Sequence, residues 1–100
     1  MTLNEYQRLA AKTSVYPECR AIEYLVMGLA SEAGEVAGVV KKSIRSGQPI
    51  KPDRVCDELG DVLWYVAEIA SRMNLSLETV MSGNIDKLSA RIAGGRIMER

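Results

Sequence analysis

Apolar residues recur at alternating steps of three and four along two long stretches of the chain. An α-helix has 3.6 residues per turn, so this spacing places them on one helical face. The stretches cover residues 18–45 and about 53–74, and the length of the second favours a helix over a buried strand. The apolar positions are Ile22, Val26, Leu29, Ala33, Val36 and Val40 in the first, and Val55, Leu59, Val62, Val66, Ile69 and Met73 in the second. We therefore predict two long helices, each with one buried face.

A shorter helix is predicted before this pair. Thr2 and Glu5 have the spacing of a capping box, in which the hydroxyl and the carboxylate each bind an amide at the start of a helix. This helix should cover residues 3–12. Pro17 disfavours helical geometry at the preceding residue, so residues 13–17 should be non-helical.

Capping and stop signals mark the remaining helix ends. Gly47 follows the first long helix, and Asp53 is a candidate N-cap for the second. Ser76 is a candidate N-cap for a fourth helix, which should end at Gly94. Residues 96–100 are predicted to form a loose tail.

These elements predict an all-α fold of four or five helices in a single domain over residues 1–100. No Ser- or Gly-rich linker, internal repeat or low-complexity segment divides the chain. The helix over residues 18–45 would span roughly 42 Å at 1.5 Å per residue. A compact globule of this length has a radius of gyration of about 13 Å, so the helix would overhang its own domain. We expect a second copy to cover the overhang and the bundle to be completed by homo-oligomerisation.

The charge balance argues against two classes of partner. The chain has 13 basic and 13 acidic residues, so its formal net charge is zero. We predict neither a nucleic-acid surface nor an anionic-membrane surface. The first residues lack the basic and apolar regions of a signal peptide, and no apolar run approaches transmembrane length. A cytoplasmic protein is the expectation.

Histidine is absent and cysteine is scarce. Without histidine the chain cannot build Ser-His or Cys-His catalysis, a His-bound zinc site or a Glu-x-x-His di-iron site. Cys19 and Cys56 form no CxxC-type motif. We predict that both are buried as small apolar side chains and that they form no disulfide.

Two acidic pairs lie within the long helices. Glu32 and Glu35 are three residues apart, and so are Glu58 and Asp61 after a gap of 22 residues. Residues three apart lie on one helical face. If the two helices pack side by side, four carboxylates converge, and four like charges in a small volume require a cation. The spacing therefore predicts a metal site with Glu32, Glu35, Glu58 and Asp61 as ligands.

The chemistry of these ligands favours a hard cation. Carboxylate oxygens without histidine or thiolate select Mg²⁺, with Mn²⁺ as a substitute. Magnesium commonly binds substrate phosphates, and Lys42 lies beyond the acidic residues with Lys41 and Arg45 near it. We therefore expect a substrate with a polyphosphate group. Tyr65 lies one turn after Asp61 and is a candidate contact for the substrate.

A solvated helical face is the alternative interpretation of any isolated Glu-x-x-Glu pair. Glu23 and Glu68 are accordingly interpreted as structural or solvated residues. Trp64 lies off the apolar face of its helix, so we expect it to serve packing or an interface rather than to contact a base.

Several segments together resemble a known family. They are Gly28-Leu29-Ala30-Ser31-Glu32-Ala33-Gly34-Glu35-Val36, then Lys41-Lys42, then Glu58-Leu59-Gly60-Asp61-Val62-Leu63-Trp64-Tyr65, then Asn84-Ile85-Asp86-Lys87-Leu88 with Arg91. They resemble the MazG-type nucleotide pyrophosphohydrolases, whose motif is ExxE followed, after a gap of variable length, by ExxD. The resemblance covers nearly the whole chain.

The resemblance implies an all-α, MazG-like fold that forms a homodimer or homotetramer around its active sites. It implies hydrolysis of a nucleoside triphosphate at the α–β bond, with magnesium held by the four carboxylates. By position, Asn84 and Lys87 would approach the triphosphate, and Tyr65 would line the nucleotide pocket. Lys42 and Arg91 would contact phosphate.

Two residues are candidates for catalysis within this implied reaction. Glu35 would orient or deprotonate the attacking water, and Lys87 would stabilise charge on the leaving phosphates. Two other functions stay open. One is a sister activity, such as dUTP/dCTP cleavage or phosphoribosyl-ATP pyrophosphohydrolysis. The other is a non-catalytic helical module that binds nucleotide or protein.

Overall fold

Residues 1–95 are described by a computed structural model, and they form helices with no strand. The α-helices are α1 (Leu3–Ala11), α2 (Ala21–Ser46), α3 (Pro52–Arg72) and α4 (Leu77–Ala93), and a short 3-10 helix, Glu18–Arg20, precedes α2. The all-helical prediction is confirmed. None of the helices in this part of the chain is both long and apolar enough to cross a membrane. The predicted tail, residues 96–100, lies outside the described residues.

Three predicted helix ends are confirmed by their caps. The Glu5 amide donates to Thr2 Oγ1 over 3.1 Å at the start of α1, and the Thr79 amide donates to Ser76 Oγ over 3.0 Å at the start of α4. Gly47 follows α2 with φ of 71°, a left-handed conformation that glycine adopts without steric cost. Sequence signals therefore set these boundaries locally.

Two predicted starts are wrong in detail. Helix α3 begins at Pro52 with Lys51 at the N-cap, rather than with Asp53 as the cap. Proline suits the first helical turn because its φ is fixed and its missing N–H would have no partner there. The second helix does not begin at residue 18, because Arg20 has a φ of −132° that separates the 3-10 helix from α2.

Helix α3 is the centre of the fold. Its amino-terminal neighbour α2 runs antiparallel to it: Gly28 meets Tyr65, and Glu32, one turn later, meets Asp61, one turn earlier. Helices α1 and α4 also pack on α3, whereas α2 contacts neither of them within residues 1–95. The contact between α2 and α3 is therefore made without the other two α-helices.

A small core joins α1, α3 and α4. Ala10, Ala67 and Leu77 are buried together. Partly buried apolar side chains surround them, namely Leu3, Tyr6, Trp64 and Val66. The indole Nε1 of Trp64 also donates to Thr13 Oγ1 over 2.8 Å. The packing interpretation of Trp64 is confirmed.

The predicted apolar faces of the long helices are wrong in part. Leu25 of α2 is fully buried, whereas Ile22 and Val26, on the predicted face, are 40% and 51% exposed. On α3, Leu59 and Met73 are also more than half exposed. Apolar residues surround most of α2, so periodicity alone does not single out the face that meets α3. Both helices consequently carry exposed apolar side chains.

The cysteine prediction is half right. Cys19 and Cys56 are free, as predicted, but both are exposed rather than buried. Cys19 lies in the surface 3-10 helix. Cys56 follows the half-buried Val55, and the step of about 100° per residue turns it outward.

A buried carboxylate fixes the segment before α2. Glu68 is 2% exposed, and its Oε2 accepts hydrogen bonds from Ser14 Oγ and the Tyr16 hydroxyl, each over 2.6 Å. Arg72 Nε donates to the Tyr16 hydroxyl over 3.0 Å, and its guanidinium pairs with Glu18. Buried polar groups require such partners. The structural interpretation of Glu68 is confirmed.

Replacing Tyr16 with phenylalanine should lower the free energy of unfolding by about 1–3 kcal/mol. The change keeps the ring but removes a donor to the buried Glu68 carboxylate and the acceptor of Arg72 Nε. Urea denaturation followed by circular dichroism measures the effect. The control, Glu23→Gln, breaks an exposed ion pair with Arg20 and should change stability by less than about 0.5 kcal/mol. Equal losses in the two variants would contradict the prediction.

Candidate functional site

Three carboxylates converge between α2 and α3. Glu32 of α2 and Glu58 and Asp61 of α3 each offer one oxygen, and these oxygens lie within 4.8 Å of one another. Glu32 and Glu58 are half-buried, and Asp61 is exposed. The position follows from the fold: Glu58 and Asp61 share a face of α3, and the antiparallel packing brings Glu32 opposite them. We call these three residues the acidic cluster.

The fourth predicted ligand lies outside the acidic cluster. Glu35 follows Glu32 by one turn and is exposed. Its negative charge nevertheless acts on Glu32. The structure thus brings together three of the four predicted ligands, and a role for Glu35 stays a prediction.

The acidic cluster is electrostatically unfavourable by itself. Partial burial and the charges of Asp61, Glu58 and Glu35 raise the pKa of Glu32 above its ordinary value. Burial disfavours the charged carboxylate, and neighbouring negative charges disfavour it further. Metal-free protein therefore holds a proton at Glu32 more tightly than the unfolded chain does.

Metal-free protein should lose stability as pH rises because of this raised pKa. The contribution of Glu32 is fully present below its unfolded-state pKa of about 4.5 and is lost as pH rises through the higher folded-state pKa. Glu32→Gln should therefore gain stability relative to the wild type between about pH 4 and pH 7. Urea denaturation in EDTA across this range measures the difference. A difference that does not change with pH would contradict the prediction.

Four aromatic rings extend from the acidic cluster towards the start of α2. Trp64 packs edge-on against Tyr65 with ring centres 4.9 Å apart, and Tyr24 lies 6.5 Å from Tyr65. Tyr16 stacks on Tyr24 with ring centres 5.5 Å apart. We call Tyr16, Tyr24, Trp64 and Tyr65 the aromatic cluster. Its rings form a surface on which a planar group could stack.

Gly28 allows the Tyr65 ring to lie against α2. A Cβ atom built at Gly28 would be 2.8 Å from Cδ1 of Tyr65 and closer still to Cε1 and Cζ. Any larger residue would have to displace the ring. Gly28 precedes Glu32 by one turn, and Tyr65 follows Asp61 by one turn, so this contact borders the acidic cluster.

Tyr65 and Tyr6 lie close enough to the acidic cluster for its negative charge to raise the pKa of their hydroxyl groups. Partial burial, the Tyr24 hydroxyl and the charges of Glu32 and Asp61 raise the pKa of Tyr65. Partial burial and the charge of Asp61 raise the pKa of Tyr6. Both phenols therefore keep their protons more firmly and can donate hydrogen bonds beside the carboxylates.

Sequence reasoning missed Tyr6 and Tyr24. A signal for Tyr24 was present, because Tyr24, Gly28 and Glu32 follow at steps of four and so share one face of α2. Tyr6 had no comparable signal, since its proximity to Asp61 depends on how α1 docks on α3.

The comparison with known families decides the class of this protein. The model of the MazG nucleotide pyrophosphohydrolase domain matches residues 20–93. The match includes α2, α3 and α4, and with them the whole acidic cluster. The chain belongs to the MazG family.

A viral relative resembles this MazG-family chain over almost its full length. The Gene 37 protein of Mycobacterium phage L5 is 41% identical in an alignment 101 residues long, gaps included. The alignment covers 91% of this chain and 89% of the phage protein. The name of the phage protein states no activity. No solved structure shows significant similarity to the chain.

The donor set of this MazG domain fits a hard divalent cation. All three ligand candidates are carboxylates, and the chain has no histidine. Ligand oxygens on opposite sides of a magnesium ion are roughly 4.2 Å apart, because each bond is about 2.1 Å long. The observed limit of 4.8 Å needs only a small rotation of the side chains to match this distance. The neighbouring negative charges that raise the pKa of Glu32 would also favour binding of a cation.

The predicted phosphate contacts lie outside the acidic cluster, one at the turn after α2 and three on α4. Lys42 lines a cavity at the turn between α2 and α3. Asn84, Lys87 and Arg91 recur at steps of three and four and share one face of α4, where the first two are exposed and Arg91 is half-buried. Because α4 contacts α3 but not α2 within residues 1–95, these three residues are not packed against the α2 side of the site.

Proposed function

We propose that the protein hydrolyses a nucleoside triphosphate between its α and β phosphates, giving a monophosphate and pyrophosphate, with magnesium as cofactor and manganese as a substitute. The convergence of Glu32, Glu58 and Asp61 carries this proposal, because their oxygens approach within 4.8 Å across two helices. The MazG domain supports the reaction class. The substrate bond and the identity of the metal are the parts that need testing.

The acidic cluster would hold the metal, and Glu35 would act on water. When bound there, magnesium would neutralise phosphate charge and lower the pKa of a water molecule. Glu35 is exposed one turn from Glu32 and lies outside the cluster, so its carboxylate is free to orient the attacking water and to accept its proton. Phosphorus at the α position is then attacked in line with the leaving pyrophosphate.

Other side chains would position the substrate. Tyr24 and Tyr65 of the aromatic cluster offer rings for a nucleobase, and Tyr65 also lies beside the carboxylates. Asn84, Lys87 and Arg91 on α4 and Lys42 on α2 are the proposed phosphate contacts, with Lys87 stabilising negative charge on the leaving group. For each of these residues, replacement by alanine should weaken substrate binding or slow hydrolysis.

Pyrophosphate release across a panel of nucleotides tests the function directly. The panel contains the ribo- and deoxyribonucleoside triphosphates, dUTP and phosphoribosyl-ATP, each with Mg²⁺, with Mn²⁺ and with EDTA. Release from at least one nucleotide with metal and none with EDTA is expected. Selective cleavage of dUTP and dCTP, or of phosphoribosyl-ATP, would identify a sister activity instead. Nucleotide binding without any pyrophosphate release would favour a non-catalytic module.

We further propose that a second copy of the chain covers the apolar surface of α2. The radius of gyration is 16.2 Å, whereas a compact globule of this length has about 13 Å. Among the helices of the described part of the chain, α2 contacts only α3 and the 3-10 helix. Its Met27 and Ile44 are 71% and 78% exposed. Such apolar surface is typical of an obligate interface, and a homodimer or homotetramer would bury it.

Val26→Glu should weaken this assembly. Val26 is 51% exposed on α2, so a charge there costs little in a monomer but is expensive when buried in an interface. Sedimentation velocity should show a mass of two or four chains for the wild type and a lower mass for the variant. The control, Val15→Glu, changes a valine that is 94% exposed before α2 and should keep the wild-type mass. A monomeric wild type would contradict the proposal.

A further inference from the structure

The turn between α2 and α3 carries a cavity lined by four cationic side chains. Its volume is about 360 Å³, and it is bounded by the last two turns of α2, the turn itself and the first turn of α3. A volume of this size lies in the range of pockets for small ligands. The cationic side chains are those of Lys42, Arg45, Lys51 and Arg54.

The positive charge of this cavity is not balanced by the protein around it. No aspartate or glutamate is among its lining residues, although Asp53 lies in the same turn of α3. Within residues 1–95 the ion pairs are those of Arg20 and Arg72, so none of the four lining cations has a carboxylate within 4.0 Å. The chain as a whole has zero formal net charge. A local excess of this size repels itself and attracts an anion.

The turn itself is held in a defined conformation. Ser43 Oγ donates to the Gln48 carbonyl, and the Gln48 amide donates to Ser46 Oγ over 3.2 Å. The Gly47 amide donates to the Ser43 carbonyl over 3.0 Å. Helix α3 then begins at Pro52, its N-cap Lys51 makes no side-chain capping bond, and Lys51 lines the cavity, so the positive end of α3 lies beside it. These bonds hold the backbone of the turn between the residues that carry the cationic side chains.

The cavity lies further along the α2–α3 pair than the acidic cluster. Arg54 precedes Glu58 by four residues, which is about 6 Å along α3. Lys42 follows Glu32 by ten residues, which is about 15 Å along α2. Along the α2–α3 pair the charge thus changes from negative at the acidic cluster to positive at the turn.

We propose that this cavity is an anion site that binds a phosphate chain, such as pyrophosphate, without a metal ion. Two guanidinium groups and two ammonium groups match the several negative charges of linked phosphates, and guanidinium groups bind phosphate oxygens in pairs. The acidic cluster repels the same anion when no metal is present. Binding in EDTA therefore reports on the cavity alone, and it does not depend on hydrolysis.

Calorimetric titration of metal-free protein with inorganic pyrophosphate in EDTA tests the site. The wild type should bind, and Lys42→Gln/Arg54→Gln should bind at least tenfold more weakly. The matched control, Arg8→Gln/Lys41→Gln, also removes one arginine and one lysine, but neither lines the cavity. It should bind within twofold of the wild type. Circular dichroism and melting temperature establish that all variants are folded.

Two results would overturn the proposal. One is the absence of pyrophosphate binding to the wild type at low ionic strength, and the other is equal weakening in both double variants. Asp61→Asn should bind pyrophosphate at least as tightly as the wild type, because it removes a negative charge from α3 and leaves the cavity lining unchanged. Loss of binding in that variant would also overturn the proposal, since binding would then depend on a residue outside the cavity.

A nucleotide analogue distinguishes the two sources of the phosphate chain. The analogue is a nucleoside triphosphate with a methylene group between its α and β phosphorus atoms, added with Mg²⁺. If it displaces pyrophosphate, the cavity holds the phosphate end of the nucleotide. If both bind together, the cavity holds a separate free anion. Either result supports an anion site at the turn, and both require Lys42 and Arg54.

Discussion

Asp61→Asn should lower kcat/KM for nucleoside triphosphate hydrolysis at least ~100-fold. Loss of a group behind a metal ligand typically costs 10–100-fold in affinity or activity, so loss of a ligand itself should cost at least as much. The variant should remain folded, because Asp61 is exposed and its removal relieves repulsion within the acidic cluster. In EDTA its melting temperature should equal or exceed that of the wild type.

Metal-dependent stabilisation gives Asp61→Asn a second readout. Added Mg²⁺ should raise the melting temperature of the wild type, because it binds the folded state alone, and this rise should be lost in the variant. Asp57→Asn is the matched control: it lies on α3 but contributes nothing to the acidic cluster. The control should keep both activity and stabilisation. Full activity in Asp61→Asn would refute the assignment of the metal site.

Gly28→Ala should lower the free energy of unfolding by about 1–3 kcal/mol, the usual cost of overpacking. The new methyl group would occupy the place of the Tyr65 ring, which must then swing away from α2. Because Tyr65 borders the acidic cluster, substrate binding should weaken as well. Urea denaturation and the KM of the preferred nucleotide measure the two effects.

Gly38→Ala is a control with the opposite expected sign. Apart from the adjoining residues and backbone of its own helix, no atom of residues 1–95 lies within 4 Å of a Cβ built at Gly38, so alanine there brings its better helix propensity without a clash. The control should gain up to about 1 kcal/mol of stability. If Gly28→Ala were stabilised to the same degree, the close approach of Tyr65 to α2 would be excluded.

Local signals made the helices predictable. Thr2, Ser76 and Gly47 cap or end helices through bonds to residues a few positions away, and such bonds depend little on the rest of the fold. The error at Asp53 has the same local character. Pro52 and Asp53 both suit the start of a helix, and the choice between them moves the boundary by only one turn or less.

Which apolar residues of α2 are buried depends on tertiary packing and could not be predicted from their periodicity. Ile22 and Val26 repeat as regularly as Ala21 and Leu25, yet only the second pair is buried against the rest of the chain. A helix that is apolar around most of its circumference has several faces that fit a core. The predicted burial of Cys56 failed for a related reason, since composition does not fix the direction of a side chain.

The site was predictable where spacing along one helix determines it. Glu58 and Asp61 must share a face of α3 because they are three residues apart. Glu32 and Glu35 have the same spacing on α2, which identified Glu32 as a partner. The contact of Gly28 with Tyr65 and the proximity of Tyr6 to Asp61 depend on how helices dock. At Gly28 the close neighbour is the aromatic ring of Tyr65.

The antiparallel α2–α3 pair also limits where the chain can tolerate insertions and deletions. An extra residue in the turn after Gly47 leaves both helices in register, because a loop absorbs added length at little cost. The same residue inserted within α2 after Glu35 would rotate Glu32 by about 100° relative to the turn and shift it by 1.5 Å. Length differences between MazG-family relatives should therefore fall between residues 47 and 51, or come in whole helical turns.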